Sequence, residues 1–162
     1  MIRTLERLPK PIRVGLVGAG SMGSGIAHQI TITRGMNLEW IVAGSRESAQ
    51  ALAHKTGVGI YGTDASSLLE DHPVDVLVEA SDTIWAAYQY CRAALDNDTH
   101  VVLMNTEVDL TLAPHLCKIA AAKNLVVTSD AGDQHGVLGQ MIQEIQLWGF
   151  DIVQAGNVKG FL

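Results

Sequence analysis

Six residues early in the chain, Gly18-Ala19-Gly20-Ser21-Met22-Gly23, have the spacing of a backbone turn that can hold a diphosphate. Gly18 permits the tight turn, Gly20 removes a side chain where backbone must approach a ligand, and Gly23 lets a helix pack closely on a strand. Amide N–H groups left bare at the helix start, helped by the helix dipole, attract phosphate oxygens. By itself the pattern is weak, because a chain with 16 glycines can show it by chance. It gains meaning only after a strand, at the opening of a helix, within a βαβ unit. Otherwise it is a glycine-rich turn with no ligand.

The nucleotide such a turn would hold depends on the tip of the next strand, where Asp or Glu commonly bonds a ribose 2′-hydroxyl. This chain reads Val42-Ala43-Gly44-Ser45-Arg46 there, with no carboxylate. Ser45 can donate a hydrogen bond, and Arg46 supplies a fixed positive charge suited to a 2′-phosphate. NADP(H) is therefore favoured over NAD(H), and another nucleotide such as FAD ranks below both. The alternative is that Arg46 is only a solvated first-turn residue.

Three further polar stretches follow apolar runs: Glu79-Ala80-Ser81-Asp82-Thr83, Asn105-Thr106-Glu107-Val108-Asp109, and Ser129 through Gly136. Ser81 and Asp82 would border the nicotinamide-ribose side, and Asn105 could orient the nicotinamide or a substrate carbonyl. Glu107, Asp109, Asp130, Asp133 and His135 have the chemistry for acid–base work or a divalent cation. Asp109 and Asp133 can equally cap helices, and Glu107 can simply be solvated. The carboxylates are compatible with a divalent ion, but no tight ligand spacing appears and no metal site is expected. His28, His54, His72, His100 and His115 read as surface or satisfied histidines.

The elements that would position these groups alternate throughout. Met1–Pro11 reads as an extended arm, ending in Pro9-Lys10-Pro11. Strands are expected at Ile12–Val17, Leu38–Ala43, Gly57–Gly62, Val74–Ala80, Val101–Met104, Leu125–Thr128 and Ile152–Ala155. Between them, helical spacing appears over Ser21–Thr33 and Glu47–Lys55, in a short turn capped by Thr63 or Asp64, and in three apolar stripes. Those stripes are Ile84/Tyr88/Cys91/Leu95, Leu112/Leu116/Ile119/Ala120 and Leu138/Met141/Ile142/Ile145/Trp148. Strand–helix alternation with short loops requires crossovers, hence an α/β fold with a doubly wound, mainly parallel sheet of Rossmann type. Residues 12–162 read as one dinucleotide-binding domain behind the 1–11 arm. Parallel strands bring every polar loop to the edge that carries the glycine turn.

Composition agrees with that class. The chain has 162 residues, 48% of them hydrophobic and 17% charged, which excludes intrinsic disorder. A net charge of −6 with no basic run argues against nucleic acid. No apolar run reaches membrane-spanning length, and the first residues lack a signal-peptide core. Cys91 and Cys117 read as two buried free thiols of a reducing, cytoplasmic compartment.

The stretch from Pro11 to Ala27, including the glycine turn, resembles the opening of homoserine-dehydrogenase-like proteins that carry a C-terminal SAF domain. The resemblance continues through Val74–Ala80, His100–Asp109, Gly132–Gly136 and Gly156–Gly160. Its Met-Asn-x-Glu-x-Asp segment (Met104–Asp109) and Gly132-Asp133-Gln134 are its most specific parts. It implies an NAD(P)-dependent oxidoreductase in which Gly18, Gly20, Ser21, Met22 and Gly23 carry the cofactor while Asn105, Glu107, Asp133 and Gln134 line the active cleft. One branch of that family resembles deoxyxylulose-phosphate reductoisomerase in activity and uses NADPH with a divalent metal. Two departures stand out. Homoserine dehydrogenases place a lysine shortly after the asparagine matching Asn105, where this chain has Glu107, and this argues against homoserine oxidation. Family members also continue beyond Lys159 into a catalytic, dimerising region and the SAF domain, whereas this sequence ends at Leu162.

The expected function is the NADP(H)-binding domain of an oxidoreductase acting on a small carbonyl or hydroxy compound, phosphorylated or not. Hydride transfer needs a shielded cleft, of which such a domain supplies half. A homo-oligomer is expected. The rival reading is a nucleotide- or metabolite-sensing module in which no chemistry follows binding.

Overall fold

A computed structural model of the protein describes residue 5, residues 7–129 and residues 134–156. They belong to two compact units, one ending at Thr128 and one beginning at Ser129.

In the first unit the short apolar runs become the centre of a sheet. β1 (Ile12–Val17) pairs in parallel with β2 (Met36–Val42) on one side and β4 (Val76–Glu79) on the other. β3 (Ile60–Gly62) extends the sheet beyond β2; β5 (His100–Leu103) and β6 (Val127–Ser129) extend it beyond β4. The order β3-β2-β1-β4-β5-β6 is that of a six-stranded parallel Rossmann sheet. Side chains alternate along the strands, so both faces need cover. On one face, Val14, Leu16, Ile41 and Val78 pack with Ala27 and Ile30 of α1 (Ser21–Ile32) and Leu52 and Ala53 of α2 (Arg46–Thr56). The opposite face is larger. There Val17, Trp40, Leu77 and Leu103 pack with Leu69 of α3 (Ala65–Asp71), Cys91 and Leu95 of α4 (Ile84–Asp96), and Leu116 of α5 (Thr106–Ala122). The crossovers leave β1 toward one face and β4 toward the other, which opens a crevice at their carboxyl ends.

Several local expectations are corrected. The arm turns at Arg7–Lys10, with Leu8 N donating to Leu5 O (3.2 Å); among the described residues no strand pairs with it to hold it extended. Cys117 is exposed and only Cys91 is buried: Leu116 and Ala120 take the inward face of α5, and position 117 lies one step around the helix. In α4 the inward stripe is Ala87, Cys91, Ala94 and Leu95, leaving Ile84 exposed. The second unit contains α6 (Gln134–Leu147), on which Met141 is exposed, and Trp148 just past its end is exposed too, since the unit's described residues offer no second helix to cover that side. Ile152–Ala155 forms no strand; Val153 is fully exposed, and extended backbone without a ladder leaves its polar groups to water. No described helix is long and apolar enough to cross a membrane.

Candidate cofactor cleft

The glycine turn links β1 to α1, and each glycine meets a different demand. Gly18 has φ +112°, and a Cβ there would lie 2.3 Å from Ala80 O. A Cβ on Gly23 would lie 2.0 Å from Gly18 O, so the first turn of α1 rests directly on the loop. Gly20 is different, because a Cβ there meets nothing within 4 Å. Its backbone (φ −72°, ψ −167°) is open to any residue, so neither packing nor conformation requires a glycine. The space beside it belongs to the cleft.

Gly20 is the N-cap of α1 and supplies no side-chain cap, nor is there an acidic residue in the first turn. By contrast α2, α3 and α5 are capped by Ser45, Asp64 and Asn105. The first amides of α1 therefore face a cleft of about 560 Å³ without a competing side-chain acceptor. Its walls are the turn itself, Ala43-Gly44-Ser45 and Ser48 after β2, Ala80-Ser81-Asp82 after β4, and Met104 after β5. A second, smaller cavity of about 150 Å³ adjoins it and includes Thr63, Ala86 and Tyr90. A dinucleotide fits this donor set, with bare amides for the diphosphate and a glycine where a Cβ would fill the cradle.

Gly18, Gly20, Ser21, Met22, Ser45 and Ser81 line the same cleft, while Gly23 lies beneath it as the packing contact. The Ser45 hydroxyl accepts from Ser48 N (3.2 Å) and lies 3.0 Å from the Ser48 hydroxyl, so it also caps α2. Arg46 is exposed in the first turn of α2, its guanidinium 5.3 Å from the centroid of the Tyr61 ring. That contact orients the guanidinium, which follows Ser45 in the chain but does not itself line the cleft.

Asn105 is buried below the wall of the cleft. Its Nδ2 donates to Ser81 O (3.1 Å) and Thr83 O (3.2 Å), and its Oδ1 accepts from Val108 N (3.2 Å). It therefore ties the loop after β4 to the start of α5, and it, rather than Asp109, caps that helix. Glu107 is exposed in the same first turn and is not among the residues that line the cleft. Asp130, Asp133 and the side chains of Gln134 and His135 lie outside the described residues. Among the described residues no three His, Cys, Asp or Glu side chains gather as a metal site would require. His100 is satisfied, its Nδ1 accepting from Val126 N (3.0 Å).

Glu79 has a part that sequence reasoning did not assign. It is fully buried at the end of β4, its Oε1 accepting from Ser81 N (2.9 Å) and its Oε2 without a partner among the described residues. Burial pushes this carboxyl above its ordinary range, and hydrogen bonds from Ser81 and Asn105 only partly oppose it. The signal was a carboxylate closing an otherwise apolar strand.

A family model described as an oxidoreductase family with an NAD-binding Rossmann fold (GFO/IDH/MocA) matches residues 12–130. Among solved structures, myo-inositol 2-dehydrogenase from Lactobacillus plantarum is similar over 86% of this chain and 42% of its own, with 16% identity and a TM-score of 0.71. Biliverdin reductase from Synechocystis sp. PCC 6803, solved with biliverdin and NADP+, is 23% identical over 85% of this chain and 42% of its own, with a TM-score of 0.69. A homoserine dehydrogenase from Thiobacillus denitrificans is 27% identical over 75% of this chain and 30% of its own, with a TM-score of 0.63. The chain thus spans less than half the length of these proteins. No curated protein sequence matches it.

Proposed function

The chain belongs to this oxidoreductase family and is its Rossmann NAD(P)-binding domain, and from that premise we propose that it binds NADP(H) in preference to NAD(H). The observation that carries dinucleotide binding is the uncapped start of α1 beside Gly20, where open space replaces a Cβ; the preference for NADP(H) rests on Ser45 and Arg46. The diphosphate sits on the amides of residues 20–23, and Ser81 borders the nicotinamide ribose. The smaller cavity by Ala86 and Tyr90 takes the adenine. Arg46, braced on Tyr61, and the Ser45 hydroxyl meet the 2′-phosphate, with no carboxylate at the tip of β2 to repel it.

When bound, a pyridine dinucleotide donates hydride to, or accepts it from, a carbon bearing oxygen. The residues of this chain contribute position and electrostatics. The substrate is a small carbonyl or hydroxy compound, phosphorylated or not, and Glu107, Asp133 and Gln134 are proposed to face it. Asn105 acts from beneath, through the loop it ties. The likeness to a homoserine dehydrogenase supports placing the whole protein near the homoserine-dehydrogenase-like, SAF-bearing branch. A cytoplasmic homo-oligomer and a single domain over 12–162 complete the proposal.

Fluorescence titration with NADPH and NADH tests it. NADPH is expected to bind more tightly. Arg46→Ala should weaken NADPH by about tenfold, the scale of one charge-assisted hydrogen bond, and leave NADH almost unchanged. A preference for NADH would remove the role of Arg46; failure of both nucleotides at millimolar concentration would remove the site. Turnover of aldehydes and ketones, with and without Mg²⁺, separates an oxidoreductase from a sensing module.

A further inference from the structure

Glu79 is the only fully buried carboxylate among the described residues, and it stands directly behind the cleft wall. Its one hydrogen-bonded oxygen holds the Ser81 amide, while Asn105 holds the Ser81 and Thr83 carbonyls. The held segment presses on the glycine turn: Ala80 O occupies the position a Cβ of Gly18 would need. Ala80, Ser81 and Asp82 then form one side of the cleft. The grip of Glu79 on Ser81 therefore sets the spacing between the phosphate turn and the opposite wall.

Among the described residues no positive charge balances an ionised Glu79. Its ladder neighbours are Val17 of β1 and Leu103 of β5. From α5 the approaching group is the neutral amide of Asn105, and from α4 it is the Cys91 thiol, which burial and the proximity of Glu79 push up. The remaining charged neighbour, Asp82, is itself negative. An ionised carboxylate with one unpartnered oxygen is costly in such a place, whereas the neutral acid is tolerated.

We propose that Glu79 is a positioning residue that works as the neutral acid, holding the Ala80–Thr83 wall against the glycine turn, and that dinucleotide binding is coupled to uptake of one proton at Glu79. The proposal rests on the assignment of the cleft to a pyridine dinucleotide. The physical link is direct. Bound phosphates bring negative charge to the other side of the same wall, so the bound state disfavours ionised Glu79 still further. Affinity and protonation must then rise together.

The test is calorimetric titration of the full chain with NADH, which lacks the titrating 2′-phosphate, in buffers of different ionisation enthalpy from about pH 5 to pH 9. For the wild type, net proton uptake is expected. Affinity should fall by up to about tenfold per pH unit where Glu79 ionises in the free protein. Glu79→Gln copies the neutral acid and should flatten that slope and abolish the uptake. Glu79→Ala should lose the pH dependence and also bind more weakly at every pH, since the grip on Ser81 is gone. A purely structural role would not move the proton count. Zero uptake by the wild type, or equal uptake by Glu79→Gln, overturns the proposal while leaving the cleft assignment standing. Absence of wild-type binding to either NADH or NADPH overturns both, and so identifies the cleft assignment as the failing step.

Discussion

A methyl group would do different things at Gly20 and at Gly23, although both belong to one motif. At Gly23 it meets Gly18 O at 2.0 Å, backbone against backbone, and helix or loop must move. Gly23→Ala should cost about 1–3 kcal/mol of stability, measurable as a shift of the urea midpoint. At Gly20 a side chain enters open space, so Gly20→Val should cost only the loss of a favourable N-cap residue, about 1 kcal/mol or less, and shift the midpoint less than Gly23→Ala. The same variant should weaken NADPH by tenfold or more, because the branched side chain fills the phosphate cradle. Equal loss of stability in both variants would show that Gly20 is a packing glycine, against the present reading. The motif was legible in the sequence; which glycine faces ligand and which faces backbone was not, because that depends on where Ala80 and Gly18 lie.

Among the elements, α5 runs from Thr106 to Ala122 through an internal proline, Pro114, on its exposed side. Proline removes one helical hydrogen bond and crowds the preceding turn, at a cost near 3 kcal/mol in an ordinary helix. The helix persists because Val108, Ala113, Leu116 and Ala120 are buried against the sheet and Asn105 caps its start. Pro114→Ala should therefore raise thermal stability, by about 1–3 kcal/mol, with no change in nucleotide affinity. No gain in melting temperature would mean that α5 is already bent to suit the proline. The apolar stripe of α5 could be read from the 3.6-residue spacing, but the tie from Asn105 to Ser81 and Thr83 could not. Those partners are 24 and 22 residues away and become neighbours only when β4 and β5 pair.

For the molecule as a whole, pH acts through groups of opposite sign. Asp64, bonded to Ser67, and Asp75, bonded to Arg13, are held below the carboxylate range. They contribute stability above about pH 3.8 that is lost as pH falls through their lowered values. The Arg13–Asp75 pair is largely exposed, so its share is small. Glu79 works in the other direction. Its folded form is raised above the ordinary 4.5, so its stabilising effect is complete below that value and is lost as pH rises through the folded one. Glu79→Gln should consequently melt higher than wild type near pH 8, the difference shrinking to nothing near pH 4. A difference that stays constant with pH would point to packing rather than charge.

The alternation of strands and helices through β6, the parallel sheet and the glycine turn were set by the sequence alone, whereas the strand expected at Ile152–Ala155 was not formed. Apolar period and glycine spacing are local properties, and a βαβ chain has few ways to wind. Tertiary structure decided the rest: that Asn105 braces a loop, that Trp40 fills the space left by Gly15, and that Glu79 is sealed behind Ser81. Each of these depends on which strands become neighbours across the sheet. That choice determines whether a polar side chain meets water, backbone or nothing, and a side chain's chemistry follows from what it meets.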